Sequence, residues 1–97
     1  MITASAINRL PQPMRAALRD LMAHGRLLFM AGHYETPTGE RHRADTVGAL
    51  VSRGIVALTT PQPRHTVARL TAPGRILVCE AAGYEADALA SAALVSA

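Results

Sequence analysis

Residues 46–77, TVGALVSRGIVALTTPQPRHTVARLTAPGRIL, change hydrophobic period twice within 32 positions, and few small folds accommodate that order. Val47, Leu50 and Val51 recur at helical spacing, and the run stops at Gly54, a residue suited to the left-handed backbone that ends helices. Residues 55–59 and 66–70 are short and rich in β-branched side chains, as strands are. The connection between them carries Pro61 and Pro63, which stiffen it and withhold ladder donors. Thr71 then stands where its hydroxyl caps another helix, with Pro73 tolerated in the first turn. The segment predicts helix, strand, strand, helix.

Upstream, Met14, Leu18, Leu21 and Met22 share one helical face, with Arg15, Arg19 and Asp20 on the other. Pro13 suits the first turn of this helix, and His24 with Gly25 suits its exit. Residues 26–34, RLLFMAGHY, are short and apolar and read as one buried strand. Thr36-Pro37-Thr38-Gly39 is a turn, so residues 35–43 form a hairpin, a tight loop or a short helical turn. The helix that follows has Asp45 or Arg43 as its cap, and Asp45 is the better acceptor for first-turn amides. Residues 1–9 read as a mobile lead-in. Gly83 breaks the helix begun after Thr71, and residues 84–97 read as an alanine-rich C-terminal helix. The expectation is a single α+β domain over residues 1–97, in the order helix-strand-helix-strand-strand-helix with a C-terminal helix added.

A chain of 97 residues with 49% apolar content can bury one modest core. All ten basic residues are arginine and nineteen residues are alanine, which points to a GC-rich gene and so to a bacterium or its phage. Ten Arg against Asp20, Glu35, Glu40 and Asp45 give +6 through Val78, whereas Glu80, Glu85 and Asp87 give −3 beyond it. A basic body of this kind suits a polyanion or an acidic protein partner. No apolar stretch approaches the roughly 18 residues that span a bilayer, and the first residues lack the pattern of an export signal, so a cytoplasmic location without a membrane partner is expected. His24, His33, His42 and His65 lack ligand spacing, and Cys79, read as a small buried hydrophobe, has no polarised surroundings. No glycine pattern cradles phosphate. The chain is therefore expected to have no metal, no cofactor, no catalytic residue and no enzymatic activity.

The stretches LVSRGIV (50–56) and ARLTAPGR (68–75), in this order, resemble the wing region of MarR-type and related bacterial winged-helix regulators. The resemblance covers 32 of 97 residues. It implies that the helix ending at Gly54 is a recognition helix for double-stranded DNA, that the connection 59–65 is the wing, and that terminal helices pair two chains into a homodimer. Carried onto this sequence, the DNA-contacting set is Arg41, His42, Arg43, Thr46, Arg53, Arg64 and His65, and the pairing set is Leu89 and Ala93. Two departures accompany it. Regulators of this type brace the recognition helix with a separate helix, whereas here a strand and a turn stand in its place. The outward residues Asp45, Gly48, Ala49 and Ser52 include no long donor for base edges. The other reading is thus a protein-interaction or dimerisation module that keeps the fold without reading DNA.

Overall fold

The computed structural model describes residues 3–82. Two helices open it, α1 (Ala4–Ile7) and α2 (Gln12–His24). Three short strands follow, β1 (Leu27–Met30), β2 (His33–Glu35) and β3 (Arg41–Arg43). Helix α3 (Ala44–Ser52) then leads to β4 (Val56–Gln62) and β5 (His65–Leu70), and a last helix, α4, is described over residues 72–82. All strand pairs are antiparallel, and the sheet order is β3-β2-β1-β5-β4. The α+β class stands. The expected element order does not, because an additional helix and two additional strands are present.

Each difference has a local cause. The apolar run 26–34 is a hairpin and not one strand. Ala31 and Gly32 both take positive φ (49° and 84°), and Met30 pairs with His33 across them, as in the mirror-image two-residue turns that match strand twist. Residues 35–43 form a second hairpin. Thr36 N–H donates to Glu40 O at 2.9 Å, Gly39 N–H donates to Thr36 O at 3.0 Å, and Gly39 sits at φ 94°. The Glu40 carboxylate accepts from the hydroxyls of Thr36 and Thr38. These bonds hold its pKa down at about 2. At the N-terminus, the segment read as a mobile lead-in contains α1, whose Ala4 and Ile7 are buried. The expected C-terminal helix over residues 84–97 lies outside the described residues.

Register fixes which face of the sheet is covered. Leu27 opposes Ala68, which opposes Leu58, while Tyr34 stands between Phe29 and His42. Because side chains alternate along a strand, these residues share one face, and Leu27, Tyr34, Val56 and Ala68 on it join Met14, Leu18, Leu21, Val47, Leu50 and Ile55 in the core. The other face carries Leu28, Met30, Glu35, Arg41, Val67 and Arg69. Helix α3 joins the two edge strands by following β3 directly and delivering β4, so its Val47 and Leu50 are fully buried.

Helix α4 is anchored at its first turn. Gly74 N–H donates to Thr71 Oγ1 at 2.9 Å, the capping bond expected of that threonine. The same hydroxyl donates to Gly54 O at 2.7 Å, and Thr71 N–H donates to Ile55 O at 2.9 Å. Val78 and Ala81 carry the helix into the core. Cys79 does not follow them. It is exposed, contrary to its reading as a buried hydrophobe, because Val78 and Ala81 claim the inward side of that turn.

Candidate nucleic-acid interface

Helix α3 begins without a loop, so its cap falls at Arg43 and not at Asp45. Arg43 holds extended backbone (φ −65°, ψ 145°) and offers no side-chain cap. Asp45 lies inside the first turn, where its carboxylate accepts from Thr46 N–H at 3.1 Å and from Arg43 Nε and Nη2, both at 3.2 Å. This pair is exposed on both sides and contributes little stability, yet it offsets the one arginine at the start of the helix. Further along, Ser52 Oγ donates to Gly48 O at 3.1 Å and Arg53 Nη1 donates to Ala49 O at 2.9 Å. The polar groups of the outer face thus turn back onto their own helix. Thr46 is half-buried.

The β4–β5 hairpin is built differently. Beyond Val56 every residue of β4 is exposed. Two residues of β4 face one of β5 between the pairs Thr59 with Val67 and Gln62 with His65. That irregularity coincides with Pro61, which has no ladder donor to give. The tip is Pro63-Arg64. Arg64 is held at φ 67°, a region that side chains other than Gly, Asn and Asp rarely adopt. Proline before a left-handed residue is the type II turn pattern, and glycine is its usual third residue.

Strand register sorts the expected contact residues by position. Arg43 pairs with His33, and His33 with Met30, at the same end of the sheet as the Gln62–His65 pair. Arg43, Arg64 and His65 therefore share that end, with the first turn of α3 beside them. About three strand spacings, roughly 15 Å, separate β3 from β5 there. Arg53 lies at the other end of α3, about 15 Å along its axis from Arg43. Arg41 pairs with Glu35 and projects from the sheet face opposite the helices. His42 is internal and does not belong with the expected contact residues. Its Nε2 sits 2.6 Å from Asp20 Oδ2, with only 9% of the side chain exposed, because alternation along β3 turns it toward α2. The four arginines do not lie on one face.

Sequence reading missed Asp20 as the partner of His42, since 22 residues separate them and no local pattern joins them. It also missed Met30, half-exposed beside the Ala31-Gly32 tip at the same sheet end. Leu89 and Ala93 lie outside the described residues. Among the described residues no three His, Cys, Asp or Glu side chains converge, and no helix is long and apolar enough to cross a membrane. Compared with protein-family models, with curated proteins and with solved structures, the chain gives no match.

Proposed function

We propose that this chain is a non-enzymatic, winged-helix-like protein of a bacterium or phage that binds duplex DNA in the cytoplasm through phosphates, with the β4–β5 hairpin as its wing. The observation that carries the reading is Arg64. A left-handed arginine costs about 1–2 kcal/mol relative to glycine, and it stands at the tip of a proline-stiffened hairpin that is exposed along its whole outer length. Backbone strain of this kind persists chiefly where a side chain is useful. Strand pairing of β1 with β5 and of β5 with β4 supports the winged-helix likeness, with the β2–β3 hairpin standing where regulators of that type have a bracing helix. Arg43, paired with Asp45, and His65 lie at the same end of the sheet as Arg64, and the self-bonded outer face of α3 argues for weak sequence preference.

The test pairs stability with affinity. Arg64→Gly relieves the turn and raises the melting temperature by about 4–16 °C. It weakens binding to random duplex DNA and lowers the log–log salt slope by about 0.9. Unchanged affinity at low salt sinks the proposal. A second reading, a protein-interaction module, is favoured by Ser52, Arg53 and Asp45 all being satisfied within α3 and its cap. It requires a stable oligomer or an acidic partner and no salt-sensitive affinity for DNA.

A further inference from the structure

The two edges of the sheet are guarded very differently. At one edge, β3 is three residues long, two of them arginine. At the other, β4 runs seven residues, VALTTPQ, without a charge, in a chain of which 18% is charged. Its only protections, Pro61 and the register irregularity, lie toward the tip. Residues 56–60 are therefore an open row of backbone donors and acceptors with high strand propensity, and among the described residues β5 is their sole strand neighbour. Leu58, on the helix-covered face of this strand, remains 43% exposed.

We propose that β4 pairs antiparallel with β4 of a second copy, about a two-fold axis at Leu58, to make one continuous ten-stranded sheet. The partner is the same chain because the strand is self-complementary. Antiparallel pairing sets Leu58 against Leu58 and Val56 against Thr60 on the helix-covered face, so each copy covers the other's exposed leucine, and no charge meets a like charge within the paired residues. Pairing β4 with β3 of another copy would generate an open filament, and the arginines of β3 oppose it. The two-fold arrangement closes at two chains. This interface is separate from the wing tip and does not depend on DNA binding.

Sedimentation equilibrium and amide exchange on the full chain test the proposal. The mass rises from 10.2 kDa toward twice that value over roughly 10–200 µM, the range expected of a small interface. Exchange at residues 56–60 slows as concentration rises. Leu58→Lys, which sets two ammonium groups face to face, weakens association at least about tenfold. Thr59→Lys, on the opposite sheet face, sets its two copies diagonally across the axis and weakens association by a smaller factor; it serves as the second variant if Leu58→Lys lowers the melting temperature. A mass fixed at 10.2 kDa throughout overturns the proposal, as does a dimer insensitive to both variants with unaltered β4 exchange.

Discussion

Gly74→Ala is expected to be among the most damaging single-methyl changes in the domain. A Cβ at this position would lie 2.2 Å from Ile55 O, 2.9 Å from Ile55 C and 2.8 Å from Thr71 Oγ1. The obstacles cannot step aside cheaply. Ile55 O accepts from Thr71 N–H at 2.9 Å, and Thr71 Oγ1 is the cap of α4, so about 1 Å of retreat breaks the bonds that join α4 to the end of α3. Losing one such bond and the cap costs about 2–3 kcal/mol, and helix propensity returns up to about 1. The net loss of about 1–2 kcal/mol lowers the melting temperature by about 4–16 °C in a domain of this size. Gly48→Ala supplies the contrast. Gly48 is helical with open space where a Cβ would go, so alanine there raises stability by about 0.5–1 kcal/mol. Melts followed by circular dichroism decide the matter. A Gly74→Ala protein that melts at or above the wild-type temperature would refute the close-packing argument.

Three further outcomes follow from the hairpins and their tethers. His42→Ala and Asp20→Ala each remove the bond between β3 and α2, and a double-mutant cycle on denaturant midpoints should show about 1–3 kcal/mol of coupling; additivity within about 0.3 kcal/mol would mean the pair is incidental. Glu40 has a folded pKa of about 2 against an ordinary 4.5. Its contribution is therefore complete above pH 4.5 and is lost as the pH falls toward 2, so Glu40→Gln flattens the stability profile in that window and leaves the profile above it parallel to wild type. Ala31→Asn keeps the left-handed turn with a residue that tolerates it, raising the melting temperature by about 3–6 °C, and a fall would contradict the turn geometry.

What the sequence made legible was chemistry acting over a few residues. Thr71 reaches Gly74 three positions away, and Gly25 and Gly54 accept left-handed backbone at helix ends, so the cap and the stops could be read directly. The β1–β2 hairpin was hidden because its turn, Ala31-Gly32, interrupts an apolar run with only one recognisable turn residue. The cap of α3 was misplaced for a related reason. Strand β3 passes into helix without an intervening loop, so Asp45 is drawn past the cap position into the first turn. For the candidate interface, the arginines at either end of α3 were visible, but their separation depends on strand register, and the internal position of His42 depends on a partner 22 residues away. Neither is a property of any local window.

The two proposals meet in a quantity that can be measured. Six residues separate Leu58 from Arg64, about 20 Å of strand, so antiparallel pairing at Leu58 puts the two wing tips about 40 Å apart, pointing in opposite directions. Two tips so placed can engage one duplex only if it runs along the strand direction, and 40 Å corresponds to about 12 base pairs. Duplexes shorter than about 10 base pairs reach one tip, whereas those of about 14 or more reach both, so affinity per molecule should rise by more than the statistical increase in sites across that interval. Leu58→Lys should abolish the step while leaving short-duplex affinity no weaker than wild type, since the added ammonium can only favour phosphate, and Arg64→Gly should depress binding at every length. A length dependence that is smooth in wild type and unaltered by Leu58→Lys would separate the interfaces: the wing would still bind DNA, but as a single chain.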